Sequence, residues 1–212
     1  AKNKEDSESK IFGEIEPLEN NGKTIFLNMG DLSKLKLNTI DFALNSDIYI
    51  VFGCGFIKGD LCDFLIKKRA INIHMGVSPF FRGSACNFWA LHDNHPEYVG
   101  ATIHYISKGL DSGPVIFHSV IEGKITNLFD YGMLAVEGAQ NNLIKEILSN
   151  NIFKFKTKIY DREKEIRYSL KKDFNQKVIS KFLKNPISLD IINQKIMQRS
   201  VSHFHNLRVF KI

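Results

Sequence analysis

The chain is 212 residues long, 43% hydrophobic and 25% charged, which supports one packed domain with an appendage and excludes a disordered chain. Its longest apolar stretch, Ile48 to Ile57, is far short of the roughly 18 residues that span a bilayer, and the charged opening Lys2 to Lys10 is unlike a secretory signal. The net charge of +6 is unevenly placed: residues 1–150 carry 14 Lys and Arg against 18 Asp and Glu, and residues 151–212 carry 15 against 5. The expected organisation is therefore a mildly acidic body, 1–150, and a basic C-terminal extension, 151–212. Such an extension suits a phosphate-bearing ligand, nucleic acid, an acidic partner surface or plain solvation. Three scattered cysteines, Cys54, Cys62 and Cys86, are too few for a disulfide framework or a zinc site, so a reducing cytoplasm is expected.

In chain order, Ile25 to Met29 offers one candidate strand. Asp47 to Phe52 is β-branched and aromatic and apolar on both faces, the pattern of a buried parallel strand, and Gly53-Cys54-Gly55 ends it. Asp60 opens a helical pattern with Leu61, Phe64 and Leu65 at helical spacing and Lys67, Lys68 and Arg69 at its C-terminus. A strand is predicted at Ala70 to His74, then a loop with Gly76, Pro79 and Gly83, then a helix around Cys86 to His92. Val99 to Ile106 and Val115 to Ile121 are predicted strands, joined through Lys108 to Pro114. Thr126 is a candidate cap for a helix reaching Ser149, with Leu128, Leu134, Ala135, Leu143, Ile147 and Leu148 on or near one face. This alternation implies an α/β domain with a mostly parallel sheet flanked by helices. In the extension, Ile159 to Leu170 reads as strand, and Asp173 to Leu183 and Leu189 to Gln198 as helices around Asn185-Pro186. That is too little apolar material for a separate core, so the extension is expected to pack on the body or on another subunit.

Two segments carry chemistry. In Ile71-Asn72-Ile73-His74, residues two apart on a strand project to one side, so Asn72 and His74 stand together at the strand's C-terminal end, where open α/β sheets place ligands. An amide beside an imidazole offers donors to a developing oxyanion; alone, the pair reads equally as a turn residue and a satisfied half-buried histidine. In Gly109-Leu110-Asp111-Ser112-Gly113 an acid lies between glycines that let backbone approach a flat ligand. A carboxylate near an imidazole orients it; an aspartate closing an ordinary turn is the competing reading.

Taken together and in this order, the N-x-H of Asn72 and His74, the loop Gly76 to Gly83 and the Leu110-Asp111 turn resemble the catalytic domain of the 10-formyltetrahydrofolate-dependent formyltransferases. That family includes glycinamide ribonucleotide formyltransferase, methionyl-tRNA formyltransferase and the sugar N-formyltransferases. The resemblance covers about Ile48 to Ile121. It implies a Rossmann-like domain with Asn72, His74 and Asp111 as catalytic groups and no metal. It also implies the pterin against the backbone of Gly53, Cys54, Gly55, Phe56 and Ile57 and of Ser107, Lys108, Gly109 and Leu110. Phe80, Phe81, Arg82 and Gly83 would face the substrate, Arg82 as a candidate anion contact. The commoner family form after the histidine, Pro-Ser-Leu-Leu-Pro, is Met75-Gly76-Val77-Ser78-Pro79 here, closer to the sugar-modifying branches. The family's opening strand, helix and strand find no apolar run to supply them before Ser46, so these opening elements are expected to be incomplete.

The resemblance implies formyl transfer from 10-formyltetrahydrofolate to a primary amine, with an amino-sugar nucleotide as first choice of acceptor. Glycinamide ribonucleotide and methionyl-tRNA follow, then hydrolysis of the donor; a non-catalytic folate- or nucleotide-binding module is the alternative of another class. A homodimer is a further expectation, and a membrane partner is not expected. Weaker motifs add little. Gly53, Gly55 and Gly59 miss the dinucleotide-binding spacing by one, and His92-x-x-His95 and His203-x-His205 lack companion ligands. Cys86 reads as a small buried residue, and His104 as core or as backing for the site.

Overall fold

The computed structural model describes residues 2–14, 22–28, 30–160 and 162–212. Its main sheet has five strands in the order β1 (Ile50–Phe52), β2 (Ile71–His74), β4 (Gly100–Tyr105), β5 (Val115–Glu122) and β7 (Arg208–Lys211), and β3 (Phe81–Gly83) pairs separately with β6 (Arg167–Ser169). Among the described residues there are six α-helices: α1 (Lys2–Phe12), α2 (Gly59–Lys67), α3 (Cys86–His92), α4 (Leu128–Leu148), α5 (Gln176–Lys184) and α6 (Leu189–Met197). The α/β class read from the sequence holds. The sheet is mixed, with β1/β2 and β5/β7 parallel and β2/β4 and β4/β5 antiparallel. The short connection from Ile106 to Pro114 dictates the β4/β5 pairing, because a parallel neighbour needs a crossover of a dozen residues or more.

β1 departs from the expected buried strand. It is three residues long at the sheet edge, and Ile50 and Phe52 are 49% and 42% exposed. Residues 25–28 form no strand, and Met29 lies outside the described residues. The strand expected from Ile159 to Leu170 shortens to β6, preceded by a single 3-10 turn at Arg162–Lys164, with one bridge from Lys158 to Val115; Asp161 lies outside the described residues.

α4 crosses the sheet with Ala135, Ala139 and Leu143 inward, whereas Leu148, expected on that face, is 82% exposed at the last turn. Its cap is Asn127 rather than Thr126: the Asn127 side chain accepts from the N–H groups of Phe129 and Asp130, the pair of orphan donors an Ncap oxygen satisfies. Gly138 lets β7 lie close, since a Cβ there would come within 2.7 Å of Phe210 Cβ. α1, formed by the charged opening run, lies on α4 through Ser7 and Lys10, both of which bond Asp130.

The extension shares the body's core. Phe182, Ile192 and Ile196 pack with Trp89, Leu91, Tyr98 and Tyr131, and each fully buried aliphatic side chain contributes about 1.5–3 kcal/mol. The Asn193 amide closes on Ile125 from both sides, accepting its N–H at 2.8 Å and donating to its carbonyl at 2.9 Å. His118, fully buried on β5, donates through Nε2 to the Ser78 carbonyl (2.9 Å) and accepts the His205 N–H at Nδ1 (2.9 Å). Those two bonds specify the neutral tautomer, and burial lowers the His118 pKa to about 3. Among the described residues no helix is long and apolar enough to cross a membrane.

Candidate active site

The register of β2 on β4 sets Asn72 directly opposite His104, and their side chains meet with Asn72 Nδ2 3.0 Å from His104 Nε2. A register irregularity in the β4/β5 pairing falls at Ile103/His104, the kind of bulge that re-aims a side chain beside a site. His104 Nδ1 donates to the Tyr105 carbonyl at 2.8 Å, which leaves Nε2 to accept from Asn72. Burial, with a smaller push from His74, lowers the His104 pKa to about 4, so the ring is neutral and its acceptor is kept at neutral pH.

From the next connection, Asp111 reaches back to this pair. Its carboxylate Oδ1 is 3.4 Å from His74 Nδ1 and 3.9 Å from His104 Nε2, and its side chain is nearly buried. Asp111 adopts a left-handed backbone, φ +46°, which Asp tolerates better than most residues. Gly113 is required here, because a Cβ would fall 1.7 Å from the Tyr105 carbonyl oxygen of β4. The hydroxyls of Ser107 and Ser112 meet across the loop at 2.9 Å.

His74 is enclosed. Its Nε2 is 3.5 Å from the Phe81 carbonyl and 3.6 Å from Cys86 Sγ. Where the commoner family form has Ser two residues after the histidine, this chain has Gly76. The Cys86 side chain stands in the space that opens: a Cβ on Gly76 would lie 2.4 Å from Cys86 Cβ and 2.9 Å from His74 Nε2. Burial raises the Cys86 pKa far above its usual range, with Asp111 adding to the effect, so the thiol stays protonated and is a packing group.

A cleft opens beside these residues, lined by Cys54, Gly55, Phe56 and Ile57 on one side, Ser107, Gly109 and Leu110 on the other, and Asn72, His104 and Asp111 at its polar end. Val51 and Ile106 complete its apolar wall. Of the residues expected around a pterin, Gly53 and Lys108 stand outside the lining; Gly53 makes the turn after β1 at φ +65°, and Lys108 reaches outward to Asp63 at 3.2 Å. His74 is also outside the lining, behind Asp111. Cys54 is exposed at the mouth of the cleft, where partial desolvation by the walls, followed by the Asp111 charge, raises its pKa.

Phe80, Phe81 and Arg82, expected to face the substrate, lie in the interior instead. Phe80, just before β3, and Phe81, its first residue, are both buried in the main core, Phe80 stacked on Tyr98 at 4.3 Å between centroids. Arg82 is buried and spends its guanidinium internally, donating to Glu165 Oε2 (3.0 Å) and to the Leu110 carbonyl (2.9 Å). Gly83, at φ +90°, lets β3 pass Ser169, whose carbonyl oxygen a Cβ would approach to 2.1 Å. The histidine pairs separate as well: His92 bonds Asp93, His95 bonds Glu97, His203 meets the Tyr98 hydroxyl and His205 meets the Lys156 carbonyl. His104, expected as core or as backing for the site, has Asn72 as its partner, which the residue pattern along the chain does not indicate. The signal that could have found it was cross-strand register, which a single sequence does not display.

Comparison with known proteins agrees with this geometry. Residues 36–128 match the formyl transferase family. A methionyl-tRNA formyltransferase of Desulforamulus reducens is 39% identical over 57 residues, 27% of this chain and 18% of that protein. One from Synechococcus sp. is 30% identical over 100 residues, 46% of this chain and 31% of that protein, so the chain spans less than a third of either relative. Among solved structures, the formyltransferase PseJ from Anoxybacillus kamchatkensis, in complex with UDP-4,6-dideoxy-4-formamido-L-AltNAc and tetrahydrofolate, is similar at TM-score 0.53 and 25% identity, over 72% of this chain and 79% of that one. A sugar N-formyltransferase from Shewanella sp. shares the fold at TM-score 0.50 and 22% identity, over 65% of this chain and 54% of that one. Motifs, family match and fold coincide on the same stretch: residues 36–128 of this chain are similar to the formyl transferase family.

Proposed function

We propose that the chain transfers a formyl group from 10-formyltetrahydrofolate to the primary amine of an amino-sugar nucleotide. The observation that carries this reading is the convergence of Asn72, His104 and Asp111 on one cleft with glycine-backed walls, and of His74 on Asp111. The cleft suits a flat heterocycle: backbone at Gly55 and Gly109, apolar Val51, Ile57, Ile106 and Leu110, and a few polar groups, Asn72, His104, Ser107 and Asp111. Bound there, 10-formyltetrahydrofolate supplies an electrophilic formyl carbon.

The chain's own residues then divide the work. Asn72, its amide oriented by His104, donates a hydrogen bond where the reacting oxygen gains negative charge, and His74, packed behind Asp111, backs that carboxylate rather than facing the cleft. Removing one such donor in other enzymes costs roughly 2.7–4 kcal/mol. Asp111 orients the His74 ring and, through a water, accepts the proton that the attacking amine must lose. All three groups lie within residues 1–150, which we take as the catalytic unit, with 151–212 completing its core. The three cysteines are unpaired, in keeping with a cytoplasmic setting.

A nucleotide-sugar acceptor is favoured by the likeness to PseJ, which spans most of both chains. Methionyl-tRNA is the second reading, favoured by the identity to methionyl-tRNA formyltransferases within the matched segment. The test is tetrahydrofolate release from 10-formyltetrahydrofolate in the presence of UDP- and dTDP-linked amino sugars, glycinamide ribonucleotide, charged initiator tRNA or no amine. Release with one amino-sugar nucleotide alone supports the proposal. Release without amine means hydrolysis, and no release under any condition means a binding module; either result overturns it.

A further inference from the structure

Arg82 is the one residue of the expected substrate-facing set that reaches the acid loop, and it does so from the protein's interior. β3 and β6 pair with Arg82 opposite Tyr168, whose ring centroid is 5.9 Å from the guanidinium carbon. Just before β6, Glu165 supplies the counter-charge at 3.0 Å, its own side chain 23% exposed and Arg82's 8%. The other arm of the fork donates to the Leu110 carbonyl at 2.9 Å, the carbonyl of the peptide that enters Asp111.

That bond matters because of the loop it holds. Gly109 and Gly113 flank Leu110 to Ser112, and Asp111 itself sits in a left-handed conformation that has to be maintained by its surroundings. Rotation of the Leu110–Asp111 peptide would swing the carboxylate away from His74 Nδ1. A rigid, planar guanidinium anchored by Glu165 opposes that rotation, and a flexible ammonium would oppose it less well.

We infer that Arg82, with Glu165 as its counter-ion, is a positioning residue of the proposed reaction: it holds the Leu110–Asp111 peptide so that the Asp111 carboxylate stays on His74. The basic extension thereby contributes to the site through a carboxylate rather than through its positive charge. The inference rests on the role proposed for Asp111.

The experiment uses the full chain and its variants Arg82→Gln, Arg82→Lys and Glu165→Gln, with Arg82→Gln also made in an Asp111→Asn background. Steady-state rates are measured beside amide hydrogen exchange of residues 107–113 and thermal unfolding. Expected is a loss in kcat of about 10- to 100-fold for Arg82→Gln, the scale of a displaced catalytic group, with KM for the amine little changed. That loss should vanish in the Asp111→Asn background, because a residue acting only through Asp111 has nothing left to position. Loop exchange should rise about tenfold or more while β2 and β4 stay protected. Glu165→Gln and Arg82→Lys should show smaller changes in the same direction, and they carry the test if Arg82→Gln does not fold. Losses that multiply in the double variant, or unchanged loop exchange, overturn the inference. A wild-type chain with no formyl transfer refutes the reaction, and loop exchange then decides the brace by itself.

Discussion

Asn72 Nδ2 lies 3.0 Å from His104 Nε2 across the β2/β4 pairing, and a protonated ring at His104 would lose the lone pair that receives it. The amide is therefore oriented by a histidine that burial keeps neutral. Replacing His104 with Leu preserves bulk and removes the acceptor. The expected result is a kcat lowered by about tenfold or more, less than for loss of Asn72 itself, with the fold retained. A His104→Leu rate equal to wild type would dismiss the orienting role.

Asn72→Ala, His74→Ala and Asp111→Asn should each reduce kcat by about 10²–10³ under saturating substrates. Asn72 and Asp111 line the cleft and their replacements should leave thermal unfolding within a few degrees, whereas His74 is packed against Cys86 and Phe81 and its truncation should cost more stability. Circular dichroism melts beside single-turnover rates separate the two effects. Near-normal rates in all three variants would end the assignment.

Stability should fall in acid through two histidines. His104 and His118 have pKa values of about 4 and about 3 in the folded chain, against about 6.5 when unfolded. Below 6.5 the unfolded chain takes up protons that the folded chain refuses, so stability present above that pH is lost as pH falls toward 4 and then 3. Both rings are almost fully buried, and the combined loss amounts to several kcal/mol, about 1.4 kcal/mol for each unit of separation. His118→Gln should flatten part of this dependence in melts taken between pH 7 and 4. An unaltered slope would mean that other groups carry it.

Gly76→Ala should destabilise the chain by about 1–3 kcal/mol, the cost of overpacking, because its new carbon meets Cys86 Cβ at 2.4 Å. Cys86→Gly in the same chain should recover part of that loss by clearing the space, minus the penalty of glycine at the first position of α3. Denaturant midpoints measure both. Additive losses in the pair would show that the two positions do not share the space.

Much of the architecture was legible because its signals are local. The helix at Cys86 to His92 appears at the residues expected, β2 and β5 differ from expectation by one residue at one end, and β4 is shorter by one residue at each end. The cofactor-facing segments were legible from glycines and order along the chain, and seven of their nine residues line one cleft. What escaped depends on distant partners. Phe80 and Phe81 look like a substrate-facing aromatic pair, yet both are buried in the main core beside the pairing of β3 with β6, residues 167–169. β7 is legible only through β5, and α1 only through Asp130. Arg82 resembles a free anion ligand until its carboxylate partner, 83 residues away in sequence, comes into view.

The distribution of thiols has a practical corollary. Cys62 and Cys86 are sealed in the interior at 5% and 1% exposure, while Cys54 opens onto the cleft. A maleimide or similar alkylating dye will thus mark a single address, slowly at neutral pH because that thiol resists ionisation. Any small molecule that shields the mark announces its own arrival, and libraries of folates and nucleotides can be screened by fluorescence long before a turnover assay exists.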